Sequence, residues 1–113
     1  MPYVHLNVSR PLTAEQIEKA RDTIASMMDT LPGKNRDNTM IHIDGGCALT
    51  KGDDGKPCIF LEVRLYKASP EENKKAFVQK AADALCALFE VEPEKMYVNM
   101  IELPEWGVRG RFF

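Results

Sequence analysis

The sequence has few cysteines, no surplus of positive charge and no long apolar run, and each lack argues against a class of protein. Three cysteines without close spacing in 113 residues argue against a disulfide framework and a zinc site. A net charge of −2 offers nothing to neutralise phosphates, so we expect no nucleic-acid partner. No stretch approaches the roughly 20 apolar residues of a membrane span, and the first residues lack a signal-peptide pattern. We therefore expect no membrane partner and a reducing, cytoplasmic location.

Common catalytic motifs are also missing. The chain has no phosphate-binding loop, no dinucleotide glycine fingerprint and no metal-ligand spacing, so we expect no cofactor and no metal. His5 and His42 occupy polar positions of predicted strands, and no serine is spaced to pair with either. Such histidines are more often surface residues than bases. By these motifs alone the chain is not an enzyme.

What is present is the composition of one folded domain over residues 1–113. Hydrophobic residues make up 44% of the chain and charged residues 28%, as in ordinary globular proteins. The pattern begins with an alternating strand at residues 4–8. A capping box formed by Thr13 and Gln16 predicts the start of a helix, which Pro32-Gly33 ends, and a second strand follows at 40–43.

The same order then returns. A strand at residues 59–65 precedes a helix that we expect Ser69 to cap, with Pro70 at its first position, and the last strand covers 96–101. The halves 1–56 and 57–113 align at an offset of 57 residues. Two β-α-β units with parallel strands predict an α/β two-layer sandwich of four strands, with two helices on one face. The other sheet face would expose Leu6, Val63 or their strand neighbours, and oligomer formation would cover it.

Six segments resemble the tautomerase superfamily, within it the branch of macrophage migration inhibitory factor and D-dopachrome tautomerase. Each segment is short, but together they follow the family's order and spacing over essentially the whole chain. They are Met-Pro-Tyr-Val-His-Leu-Asn-Val at the start, Gly33-Lys34, Ile41-His42-Ile43, Pro57-Cys58, the segment 93–99 and Trp106-Gly107-Val108. The resemblance implies a homotrimer and keto–enol tautomerisation of small α-keto acids such as phenylpyruvate.

The resemblance also implies roles for particular residues. Pro2 becomes the catalytic base once Met1 is removed, because a free α-amine has a pKa of about 7.7–8.0. Lys34 binds the substrate carboxylate or carbonyl and lowers the pKa of Pro2. Of the remaining binding residues, Tyr97 and Asn99 come from the neighbouring subunit, Tyr66 contributes its backbone, and Val108 belongs to the apolar wall.

Two departures from the family pattern and two rival functions accompany this interpretation. Asn38 replaces an aromatic at the pocket mouth, and Cys58 lacks the second cysteine of the family's Cys-X-X-Cys.

One rival is a lyase or hydratase of the same superfamily, with Arg36 or Arg64 assisting Pro2. The other is a cytokine-like ligand of a protein receptor, secreted without a signal peptide and with no physiological catalytic role.

Overall fold

A computed structural model describes all 113 residues as one sheet, two helices and a C-terminal hairpin. The strands of the sheet are β1 (Pro2–Val8), β2 (Met40–Gly45), β3 (Ile59–Tyr66) and β4 (Met96–Leu103). The helices are α1 (Ala14–Met27) and α2 (Glu71–Phe89), and the hairpin pairs β5 (Gly107–Val108) with β6 (Arg111–Phe112). Neither helix has the length and apolarity that a membrane crossing requires.

The sheet has the strand order β2-β1-β3-β4. Within each β-α-β unit the strands are parallel, because the chain returns through a helix, and the two units meet in an antiparallel pairing of β1 with β3. The elements of the second unit begin 56 or 57 residues after their counterparts in the first. The predicted two-layer α/β fold is confirmed.

The core lies between the sheet and the two helices. From Val4 in β1 and from Ile59 in β3, alternate residues point towards the helices, and none of them is exposed to solvent by more than 2%. Each such aliphatic side chain contributes about 1.5–3 kcal/mol on burial. The side chains at the centre of this layer are Val4, Leu6, Val8, Leu61, Val63, Leu65, Ile24, Phe77 and Leu85.

The structure shows which residues of the central strands lie on the uncovered face of the sheet, Leu6 and Val63 or their neighbours. Leu6 and Val63 are fully buried beneath the helices, so their strand neighbours form the uncovered face. Along the central strands that face is rich in polar side chains, including His5, Glu62 and Arg64. The exposed apolar side chains lie further out, on the edge strands and the C-terminal hairpin: Met40, Tyr97, Ile101, Phe112 and Phe113.

The two helices begin in different ways. The Thr13 hydroxyl accepts the backbone N–H of Gln16, whose side chain accepts the backbone N–H of Thr13, so the predicted capping box is confirmed. The predicted Ser69 cap is wrong. Helix α2 begins at Glu71 with Pro70 as its N-cap, and the buried Ser69 hydroxyl has no hydrogen-bond partner.

The carboxylate of Glu102, on the sheet, binds the residues at the start of α2. Glu102 on β4 accepts the backbone N–H of Ser69 at 2.6 Å and the Lys74 ammonium at 2.8 Å. The hydrogen bond from Lys74, then that from Ser69, holds the pKa of Glu102 below its ordinary value of 4.5. A carboxyl with a lowered folded-state pKa stabilises the fold above its unfolded pKa, and this stabilisation is lost as the pH falls through the folded-state value.

We predict that Glu102→Gln lowers the free energy of unfolding at pH 7 by about 1 kcal/mol, since two charge-assisted hydrogen bonds weaken. The difference from wild type should shrink as the pH is lowered from about 5 to about 3, where the wild-type carboxyl also becomes neutral. Urea unfolding across this range measures both quantities. The exposed Glu105 makes no hydrogen bond, so Glu105→Gln is the matched control. An equal deficit of Glu102→Gln at both pH values would contradict the prediction.

Candidate active site

A cavity of about 600 Å³ lies at the N-terminal end of β1. This volume is in the range of small-molecule sites. Most of its wall is apolar, and Arg109 brings the one charged side chain. The wall consists of Met1, Pro2, Tyr3, Asn38, Met40, Trp106, Gly107, Val108, Arg109 and Phe113. Of the predicted site residues, the structure therefore places Pro2 and Val108 in one cavity.

The C-terminal hairpin forms one side of this cavity. Arg109 and Gly110 both have positive φ values, 53° and 71°, which is the type I′ turn that joins strands through two residues. Trp106 and Phe113 close the hairpin by exchanging backbone hydrogen bonds of 3.0 and 2.8 Å. Sequence analysis did not predict this hairpin or the role of Arg109 in the wall. The sequence feature that indicates the hairpin turn is Gly110, which lies between two short apolar runs.

Lys34 and Tyr66 meet beside the start of β1. Gly33, at a φ of 73°, ends the turn that follows α1, and Lys34 comes next. The Lys34 ammonium donates a 2.8 Å hydrogen bond to the backbone carbonyl of Tyr66. Tyr66 follows Leu65, the register partner of Pro2. The Tyr66 carbonyl is thus engaged by Lys34, while the Tyr66 ring lies under the Lys67 ammonium at 5.2 Å.

The pKa of the terminal amine is lowered at this position. Burial lowers the pKa of the Met1 amine, and the positive charge of Lys34 lowers it further. Both causes disfavour the protonated form of an amine. With Met1 attached, the nitrogen of Pro2 is an amide and carries no basic lone pair. Removal of Met1 would leave the amine on the buried Pro2, one residue nearer the sheet.

Tyr97 and Asn99 do not join Pro2 in the same chain. Tyr97 pairs with Phe60 on β3, five residues from the partner of Pro2, which corresponds to about 16 Å along the strand. Its ring lies instead under the Lys51 ammonium, 4.7 Å from the ring centroid. Asn99 is exposed on the same edge strand. Within one chain, Tyr97 and Asn99 are therefore remote from Pro2.

The remaining sequence candidates fall outside the cavity. Arg36 and Arg64 are exposed and do not line it, and the Arg64 guanidinium lies 5.7 Å from the centre of the Tyr3 ring. His5 and His42 lie on the uncovered face of the sheet, beside each other. Their rings stack with centroids 4.0 Å apart, because the parallel pairing of β1 with β2 sets them directly opposite each other.

The family model for macrophage migration inhibitory factor matches residues 1–111. The chain belongs to the macrophage migration inhibitory factor family. The resemblance inferred from the six sequence segments is thereby confirmed. No curated protein sequence matches the chain significantly.

Solved structures of this fold are similar over nearly the whole chain. MIF2 from Leishmania major has a TM-score of 0.90 at 18% identity, covering 100% of this chain and 97% of its own. The protein Pt0534 inactivated by 2-oxo-3-pentynoate has a TM-score of 0.83 at 16% identity, covering 96% and 93%. The asymmetric trimer of fused 4-OT has a TM-score of 0.81 at 13% identity, covering 96% and 94%. At these identities the likeness concerns the fold.

We predict that Lys34→Met raises the pKa of the terminal amine towards its ordinary value, because the neighbouring positive charge is gone while the burial remains. The pH dependence of amine acylation, followed by mass spectrometry of the N-terminal peptide, measures this pKa. Lys80 is exposed on α2, so Lys80→Met is the charge-matched control and should leave the pKa unchanged. A pKa that is equal in all three proteins would remove Lys34 from the electrostatics of the amine.

Proposed function

We propose that the protein is a keto–enol tautomerase of small α-keto acids, for which phenylpyruvate is the test substrate, with Pro2 as the catalytic base. The observation that carries the proposal is the position of the terminal amine. It lies at a cavity of small-molecule size, and burial and then the charge of Lys34 lower its pKa. A lowered pKa increases the neutral fraction of the amine, and a neutral amine can accept and then return a proton, which is what tautomerisation requires. Membership of the family supports the same chemistry.

The proposed reaction moves one proton. After Met1 is removed, the neutral amine of Pro2 takes a proton from C3 of the α-keto acid. The electron pair of the C–H bond moves into the C2–C3 bond, and the carbonyl oxygen gains the negative charge. That oxygen then receives the proton from the Pro2 ammonium, which leaves the enol and the neutral amine. The pyrrolidine ring fixes the direction in which the amine points.

Two cations are available for the substrate carboxylate and the developing enolate. Lys34 is held at the Tyr66 carbonyl, and Arg109 lies in the cavity wall. A positive charge near an enolate oxygen favours the transition state over the keto form. The structural neighbour Pt0534 is inactivated by a 2-oxo acid, 2-oxo-3-pentynoate, which supports the same substrate class here. The apolar wall around Val108 and Phe113 suits the aromatic ring of phenylpyruvate.

We further propose that the active form is a homotrimer. Edge strands β2 and β4 have unpaired backbone groups, and each exposes an apolar side chain, Met40 and Ile101 respectively. Contact of one edge with the opposite edge of the next copy is heterologous, and a rotation of about 120° between copies closes such contacts into a ring of three. In a ring, Tyr97 and Asn99 on β4 of one subunit would reach the cavity beside β2 of its neighbour. The fused 4-OT neighbour, a trimer, supports this assembly.

Removal of Met1 decides whether the proposed base exists. We predict that protein starting at Pro2 enolises phenylpyruvate, and that protein retaining Met1 is inactive because the Pro2 nitrogen is an amide and Met1 occupies the cavity wall. Intact mass spectrometry and the enolisation assay are run on the same preparations. Pro2→Gly, which also allows Met1 removal but leaves a primary amine, should lose activity strongly. Full activity of a preparation in which every chain retains Met1 would exclude Pro2 as the base.

The same preparations distinguish the rivals. Release of carbon dioxide from a 3-oxo acid, without enolisation of phenylpyruvate, would identify the lyase, for which Arg109 is the arginine in the cavity. Absence of both reactions in protein that starts at Pro2 would favour a receptor ligand. Lys80→Met serves as the control variant in each assay, since Lys80 lies on α2 outside the cavity.

The proposed assembly predicts a particle of three times 12.8 kDa. Light scattering over a dilution series measures the mass, and the enolisation assay measures activity in the same samples. Activity should fall as the trimer dissociates, because Tyr97 and Asn99 are remote from Pro2 in a single chain. Full activity in a particle of 12.8 kDa would contradict both the assembly and the contribution of the neighbouring subunit.

A further inference from the structure

Two histidines and an aspartate meet on the sheet face that the helices leave uncovered. His5 on β1 lies opposite His42 on β2, and Asp44 follows two residues later, so all three side chains project from the same face. The Nε2 atoms of His5 and His42 lie 2.7 and 3.1 Å from a single oxygen, Oδ2 of Asp44. We infer that these three residues form a binding site for a divalent transition-metal ion of the zinc type.

The spacing of the three atoms suits a first-row metal ion. Zinc binds histidine nitrogen and carboxylate oxygen at about 2.0–2.2 Å, so the ligand atoms of a tetrahedral site lie about 3.3 Å apart. The three atoms of this cluster all lie within 4.8 Å of one another. Small movements of Asp44 would therefore place a cation between them. Two imidazoles favour zinc, copper, nickel or iron over magnesium and calcium.

The second nitrogen of each imidazole also has a partner. His5 Nδ1 lies 3.4 Å from Oε2 of Glu62, and His42 Nδ1 lies 2.9 Å from the hydroxyl of Tyr3. Metal-binding histidines commonly donate this second N–H to a carboxylate or another oxygen, which orients the ring and raises its basicity. Glu62 and Tyr3 supply that support from β3 and β1. The cluster thus has both the ligands and the groups that orient them.

The cluster is separate from the proposed tautomerase base. It uses neither Pro2 nor Lys34, and none of its three ligands lines the cavity, although the supporting Tyr3 lies in the cavity wall. The side chains of His42 and Asp44 are about half exposed, so an ion can reach them from solvent. Three protein ligands leave a fourth tetrahedral position, which a water molecule or a further group on this face can fill.

Zinc titration of the full chain, without a histidine tag and in a non-coordinating buffer, tests the inference. We expect one Zn²⁺ per chain by isothermal titration calorimetry. Removal of a ligand in His42→Gln should weaken binding on the order of 100-fold, and loss of the supporting hydroxyl in Tyr3→Phe roughly tenfold. Asp22 is exposed on α1 and makes no contact with the cluster, so Asp22→Asn is the charge-matched control for Asp44→Asn. Equal weakening by these two aspartate variants would overturn the site.

A second measurement needs no variant. The chain contains only two histidines, so its imidazole NMR signals come from the cluster alone. Addition of Zn²⁺ to the wild-type protein should shift the ring signals of both His5 and His42. Zinc uptake that leaves either ring unchanged, or the absence of uptake, would overturn the inference. This readout does not depend on tautomerase activity.

Discussion

The register of β1 between its two neighbours determines where the chemistry of this fold lies. Its antiparallel pairing with β3 sets Pro2 opposite Leu65, one residue before the carbonyl that holds Lys34. Its parallel pairing with β2 sets His5 opposite His42. A slip by one residue would turn every side chain of β1 to the other face and break both arrangements. The fully buried Val4 and Leu6 prevent that slip, so core packing fixes both groups of polar residues.

The elements of the fold were predictable because their signals are local. The capping box at Thr13 and the alternation along β1 each involve neighbours in sequence, and the duplicated β-α-β order follows from them. The wrong cap at Ser69 shows where local reasoning stops. Ser69 is bound instead by Glu102, 33 residues away, which accepts its backbone N–H, while the Ser69 hydroxyl has no partner.

The candidate site was predictable only in part for the same reason. Pro2 and Lys34 were identified through resemblance, since a Met-Pro start and a lysine after a helix have no specificity of their own. Arg109 was missed because Gly110 signals a turn, but only the folded chain brings that turn to the cavity at Pro2. The histidine cluster was missed because it requires the register of two strands that are separated by a helix. Contacts of this kind are long-range and leave no spacing motif.

The distribution of polarity across the uncovered sheet face links the proposed trimer with the histidine cluster. The central strands present His5, Glu62 and Arg64, whose burial against another apolar surface would leave charges without water. The exposed apolar side chains lie on the edge strands and the hairpin, although edge strand β2 also carries His42 and Asp44. The proposed assembly through the edges would remove apolar surface from water and leave the centre of the face hydrated. In such a ring, an ion bound between His5 and His42 would offset part of the negative charge of Asp44 and Glu62 on this face.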